Sequence, residues 1–314
     1  MGIVLTSCKS AVPTRLVGRQ NRRSLATSRW KGALLSNKHI LVTGCSSGIG
    51  LACARMLRAR GHRVYVTARR EADLQRLREA GYTALHLELA SSESIAACTD
   101  ALLARSGGRL DALVNNAAYG QPGAVEDLSR AALREQFEAN LFGTQELTNR
   151  LIPVMRRAGS GRIVYISSVL GLAALPYRGA YVASKFALEG LADTLRLELR
   201  GSGIAVALVE PGPIESRFRD NAYAAFQRHI DPEHSAHAET YRAVERRLRA
   251  EGGGAFTLPA SAVAGKVCHA VEHPRPKARY YVTFPTRLFG TLRRLLSTRA
   301  LDWVLLKATE GERR

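Results

Sequence analysis

From His39 onward, short β-branched apolar runs alternate with longer segments of helical periodicity. The runs at 40–43, 63–67, 84–89, 110–114, 162–167, 204–209 and 280–284 predict strands, and the patterns at 49–60, 94–105, 131–157 and 180–200 predict amphipathic helices. A parallel strand pair needs a crossover long enough to hold a helix, so this alternation predicts a parallel sheet covered by helices on both faces. The run Ile204 to Val209 lacks period-two polarity, as a strand buried on both faces does. Between Pro213 and Pro259 the rhythm fails. No strand pattern appears there, only the basic helical run 241–249, and a long irregular segment of this kind predicts a lid over a substrate site. His229, His234 and His237 in the same stretch lack metal-ligand spacing and read as a solvated face.

Composition supports one large or two ordinary domains. The chain has 314 residues, 46% hydrophobic and 23% charged, which excludes disorder for its bulk. Its net charge of +19 would suggest nucleic acid, an anionic membrane or an anionic ligand. That charge is not evenly placed: residues 1–38 carry +8, residues 275–314 carry +7, and residues 39–274 only +4. With no basic-aromatic platform or recognition motif in the body, no nucleic-acid partner is expected. Five cysteines without a C-x-x-C pair suggest neither a disulfide framework nor a zinc cage, and point to a reducing, cytoplasmic setting. The uncharged stretch 163–177 contains two serines, a glycine and a proline and falls short of the roughly 18 to 20 apolar residues of a bilayer span.

The acid-free leader 1–38 has several readings. Its composition suits a mitochondrial transit peptide, Met1-Gly2 with Thr6 fits a myristoylation pattern, and Leu5-Thr6-Ser7-Cys8 looks like a lipobox. A lipobox needs charged and apolar regions ahead of it that seven residues do not supply. The plainer expectation is a disordered basic leader or an over-extended start, since nothing in it can bury a core.

Candidate chemistry begins where strand one ends. Thr43-Gly44-Cys45-Ser46-Ser47-Gly48-Ile49-Gly50 leads into a helix, so glycines allow close backbone approach while free N–H groups and the positive helix end meet a pyrophosphate. The same residues contain G-x-S-x-G, the turn on which a serine hydrolase displays its nucleophile, here Ser46. The late histidines His269 and His273 lack the strand-end setting that reading needs. Strand two ends Val66-Thr67-Ala68-Arg69-Arg70 with no acid for a ribose 2'-hydroxyl, which favours NADP(H), with Arg69 on the 2'-phosphate and Ser46 or Ser47 assisting. Tyr181 and Lys185, four apart at the start of a helix, share one face, and an ammonium beside a phenol lowers its pKa toward useful acid-base chemistry. Ser168 follows the apolar strand 163–166, at the sheet edge where open α/β folds bind ligands. Asn140 and Gly143 interrupt a good helical pattern, which marks a backbone irregularity with a purpose.

In this order and spacing the motifs resemble the short-chain dehydrogenase/reductase family: Thr43 to Gly50, Asn115-Asn116-Ala117-Ala118, Asn140, Ser168, Tyr181 with Lys185, and Pro211-Gly212-Pro213-Ile214. The resemblance implies a doubly wound Rossmann-type sheet of about seven strands in the order 3-2-1-4-5-6-7, a catalytic domain over 39–285 with its lid at 213–259, and a homo-oligomer. It implies that Tyr181 exchanges a proton with the substrate oxygen, that Ser168 hydrogen-bonds that oxygen, and that Lys185 depresses the tyrosine pKa and holds the nicotinamide ribose. Asn140 would anchor a water, Asn115 would steady the central strands, and Ile214 would meet the carboxamide through its backbone. Gly44, Gly48, Ile49, Gly50, Ala117, Pro211 and Gly212 would line the cofactor site. Ala118 stands where the family usually has glycine, and Glu88 where an aspartate often approaches the adenine. The motif sequences are similar to the branch with 17β-hydroxysteroid and retinol dehydrogenases, and the Arg279-Tyr-Tyr-Val-Thr-Phe-Pro-Thr ending to bacterial NADP-dependent aldehyde reductases. A lipophilic carbonyl or alcohol is thus the expected substrate, and a catalytically idle NADP-binding or membrane-associated module is the rival. The basic extension 286–314 suits either a helix on an anionic membrane surface or packing over the substrate lobe.

Overall fold

The computed structural model describes residues 37–250 and 256–310, so the leader lies outside the described residues apart from Asn37 and Lys38. In chain order the main elements are β1 (His39–Val42), α1 (Gly48–Ala59), β2 (Arg63–Ala68), α2 (Glu71–Glu79), β3 (Thr83–His86), α3 (Ser92–Ser106), β4 (Ala112–Asn115), α4 (Arg130–Phe137), α5 (Gly143–Arg157), β5 (Gly161–Ile166), α6 (Gly179–Glu198) and β6 (Ile204–Glu210). Then follow α7 (Phe218–His229), α8 (Ala238–Arg249), α9 (Ala260–Glu272), β7 (Arg279–Tyr281), α10 (Phe284–Leu295) and α11 (Thr298–Ala308). All strand pairs are parallel and the order is β3-β2-β1-β4-β5-β6-β7. The chain reverses its winding between β1 and β4, which opens the crevice in which such sheets bind ligands.

The apolar strands are explained by the two layers they serve. Ile40, Val42, Val64 and Val66 pack with Cys53, Leu57, Leu74, Val263 and Val267 of α1, α2 and α9. Their alternates Leu41, Tyr65, Leu113 and Tyr165 pack with Ile95, Leu102, Leu147 and Leu195 of α3, α5 and α6. Successive side chains on a strand point to opposite faces, so a strand covered on both sides must be apolar throughout.

Three expectations need correction. The helix expected over 131–157 is two helices joined by a π turn, Glu138–Phe142. A Cβ on Gly143 would lie 1.7 Å from the Leu89 carbonyl oxygen, so only glycine lets this segment approach β3's following loop. The segment 213–259 is not irregular: α7 and α8 pack Phe226, Tyr241, Val244 and Leu248 against Leu128, Ala132 and Ala180 in a third apolar cluster. The extension is likewise two helices rather than one, with Thr283 capping α10 through the Thr286 amide. Among the described residues no helix is long and apolar enough to cross a membrane. Cys45, Cys53, Cys98 and Cys268 are all buried and free.

Candidate active site

The loop after β1 is a glycine cradle. Gly44 has φ +69° and a Cβ there would meet Ala117 Cα at 2.8 Å, and Gly48 has φ +56° with Ser216 Cβ 2.9 Å from the same test position. A Cβ on Gly50 would lie 2.3 Å from the Gly44 carbonyl oxygen, so α1 sits directly on its own approach loop. Ser47 makes no side-chain cap and the first turn of α1 holds no acid, so its amides and positive end are open to an anion. Asn116, quoted in the motif but given no role there, braces this loop: Nδ2 donates to the Thr43 and Gly44 carbonyls at 2.8 and 3.1 Å. Thr43 Oγ1 accepts from the amides of Asn116 and Ala117, both at 2.9 Å. The doubled Asn115-Asn116 was the available signal. Arg76, also missed, donates to the Ser46 carbonyl at 2.7 Å from α2, a helix too polar to announce itself.

Beyond the cradle, Arg69 and Glu88 face each other across 3.6 Å, both partly exposed. Such a pair contributes little and costs little to open. No acid occupies the end of β2.

Ser168, Tyr181 and Lys185 converge on the same cleft, whose volume is about 990 Å³. Ser168 caps the short turn Val169–Gly171 by accepting from the Leu170 amide at 3.1 Å. Lys185 is buried, donates to the Ile166 carbonyl at 2.8 Å and holds Nζ 5.6 Å from the Tyr181 ring centre. Burial pushes the Tyr181 phenol up to about 12, with the Ser168 hydroxyl acting the other way. Burial likewise draws Lys185 down to about 8, against the Glu189 carboxylate. Burial thus governs the Tyr181 phenol, while the Lys185 ammonium keeps two further protons to donate beyond the one on the Ile166 carbonyl. At neutral pH the Tyr181 phenol accordingly keeps its proton. Phe218 of α7, another residue the sequence did not single out, packs edge-on at 5.3 Å from Tyr181.

The cleft wall includes Gly44, Ser46, Ser47, Gly48, Ile49, Arg69, Glu88, Ala117, Pro211, Gly212 and Ile214. Ile214 is paired with Leu258 in a parallel bridge, with Leu258 donating to the Pro213 carbonyl and accepting from the Glu215 amide. Its own amide points away from that pairing. Gly50, Asn115 and Asn140 do not reach the cleft wall. Asn115 donates to Thr148 at 2.9 Å and so ties β4 to α5. Asn140, in the π turn, exchanges hydrogen bonds with the Tyr119 backbone at 2.9 and 3.1 Å and donates to Ser184 at 3.2 Å. Its side chain clamps the loop after β4 onto α6. The histidines have separate partners: His229 pairs with Glu135, His237 with Glu126, His234 with Asp231. His269 bonds the Tyr280 hydroxyl at 2.9 Å and stacks on His273, so neither serves Ser46.

The family model for short chain dehydrogenases matches residues 38–226. The chain belongs to the short-chain dehydrogenase family. This short-chain dehydrogenase is 42% identical to the uncharacterized oxidoreductase YbbO of Escherichia coli over 85% of its length and 94% of that protein. It is 34% identical to human 17-beta-hydroxysteroid dehydrogenase type 1, over 78% and 77% of the two chains. A short-chain dehydrogenase from Streptomyces avermitilis superposes with TM-score 0.71 at 33% identity, covering 88% of this chain and 98% of that one. A relative from Burkholderia phymatum was solved with NAD (TM-score 0.70, 27% identity, 83% and 93% covered). The actinorhodin polyketide ketoreductase was solved with NADPH (TM-score 0.62, 31% identity, 78% and 95% covered). The protein is thus an oxidoreductase of a family that binds nicotinamide cofactors, and its glycine cradle fits such a group.

Proposed function

We propose that this short-chain dehydrogenase uses NADP(H) to reduce a lipophilic aldehyde or ketone to its alcohol, with Tyr181 as proton donor. The observation that carries the proposal is the convergence of Ser168, Tyr181 and Lys185 on the cleft that also holds the glycine cradle. The cofactor, when bound, supplies a hydride to the carbonyl carbon. Ser168 orients the carbonyl oxygen by hydrogen bonding. Tyr181, protonated at neutral pH, gives its Oη proton to that oxygen as negative charge develops there. Lys185 lies close enough to stabilise the resulting phenolate until solvent returns a proton.

Cofactor choice rests on Arg69 at the end of β2, where an acid for a 2'-hydroxyl is missing. Leu170, Leu175, Phe218 and Ala222 give the substrate end an apolar lining. The names of two relatives, 17-beta-hydroxysteroid dehydrogenase and retinol dehydrogenase, also support a lipophilic substrate. The test is the absorbance of NADPH with a panel of medium-chain, aromatic and retinoid aldehydes. Turnover that falls by several orders of magnitude in Tyr181→Phe is expected. NADPH binding without turnover of any carbonyl would establish the idle module instead, and unchanged turnover in Tyr181→Phe would remove the proposed donor.

A further inference from the structure

The outer faces of α10 and α11 present an apolar stripe bordered by cations. Phe284, Leu288 and Leu295 recur at helical spacing and all point outward, with Phe284 59% and Leu295 74% exposed. Arg287 and Arg294 flank them, and neither has a side-chain partner among the described residues. On α11, Trp303 is 64% exposed, Leu306 is also exposed, and Arg299 and Lys307 share their face, with Lys307 lying over the Trp303 ring. Asp302 is the one acid of this helix, against a balance of +7 for residues 275–314. The inner face of α10 is already used: Arg293 donates to the Leu172 carbonyl at 2.9 Å and covers Phe186, and Gly290 lies against Tyr281 and Leu172. Packing and exposure are therefore not alternatives here. One face of α10 holds the helix to the fold and the other is left apolar and basic.

We infer that the outer faces of α10 and α11 form a docking surface for an anionic phospholipid membrane. An aqueous surface gains nothing from leaving Phe284, Leu295 and Trp303 in water, whereas an interface takes up the apolar groups and its headgroups attract the arginines. The surface adjoins the cleft. Phe284 stacks on Phe256 at 5.5 Å, the next residue Thr257 lines the cleft, and Thr283 packs against Gly212 of the cleft wall. A membrane bound there lies beside the mouth of the site.

The experiment is flotation of the full chain with vesicles of phosphatidylcholine alone or with added phosphatidylglycerol. It needs no turnover, so its outcome is separate from that of the reductase reading. Binding is expected only to the anionic vesicles and should be released by salt. Arg287→Glu with Arg294→Glu should weaken it at least tenfold, and Leu295→Ser with Trp303→Ser should weaken it at all salt concentrations. In a Trp30→Phe background, Trp303 emission should shift to the blue on the anionic vesicles. Absence of flotation, equal flotation on both vesicle types, or loss of exposed Trp303 through self-association of the protein would each overturn the inference.

Discussion

Behind the helix that carries Lys185, three carboxylates share one guanidinium. Arg279 donates to Glu210 at 2.6 Å, to Asp193 at 2.5 Å and to Glu189. Glu210 is fully buried at the end of β6, and its Oε2 has no partner among the described residues. Burial first, then the neighbouring Glu189, pushes the Glu210 carboxyl from 4.5 up to about 8 in spite of Arg279. Ionising Glu210 in place therefore costs on the order of 5 kcal/mol more than in water. The folded chain keeps a proton that the unfolded chain releases above 4.5, so this contribution to stability is complete at low pH and is lost as pH rises toward about 8. Glu210→Gln keeps the shape and removes the titration. Urea unfolding of both proteins near pH 5 and above pH 8 measures the difference. The wild type should lose several kcal/mol more than Glu210→Gln across that interval, so that the variant gains on it at high pH. Parallel stability–pH curves for the two proteins would refute the placement of a neutral carboxyl at Glu210.

Gly143→Ala puts a Cβ against the Leu89 backbone, which cannot swing aside as a side chain can, and should cost at least about 3 kcal/mol in thermal or urea unfolding; a loss below about 1 kcal/mol would show that the π turn is not held by this contact. Gly50→Ala should weaken NADPH binding, read by cofactor fluorescence, by at least about tenfold (about 1.4 kcal/mol), because α1 must lift off the Gly44 carbonyl. In Arg69→Asp, NADPH should weaken far more than NADH, and equal losses would disprove the 2'-phosphate contact. Lys185 is charged below about 8 and neutral above it. For the free enzyme, kcat/KM of reduction should accordingly fall on the alkaline side near that pH, and Lys185→Arg should move the limb upward; an unchanged limb in that variant would assign it to another group.

The sheet was legible because its strands serve two layers at once. Residues such as Leu41 and Val42 have no polar option, and turn glycines separate them from helices with one apolar stripe. The site motifs were legible for a related reason: each is local, within a loop, a helix turn or a strand end. Even the π turn left a mark, in Asn140 and Gly143 placed where a helix former would be preferred. The segment 213–259 left less: the run 241–249 marked α8, but α7 went unread, because Ala222, Ala225 and Phe226 are too few to set a helical rhythm among its charges, and the partners Leu128, Ala132 and Ala180 come from two distant stretches of chain.

What the spacing of Tyr181 and Lys185 could not convey is where the lysine's proton goes. An i, i+4 reading sees two side chains on one face, and it takes their interaction as the strongest either makes. The fold adds a carbonyl from β5, at 2.8 Å, and a carboxylate from the next turn of the same helix. With those partners Lys185 keeps its charge near neutrality despite burial, while burial leaves the Tyr181 phenol its proton. In the proposed reaction the two groups are thereby set apart: an acid that stays loaded and a cation already held in place before any phenolate forms. A lysine held by Ile166 does not have to reorganise when negative charge appears on Tyr181, and that fixed placement stabilises a developing charge more effectively than a mobile ammonium would.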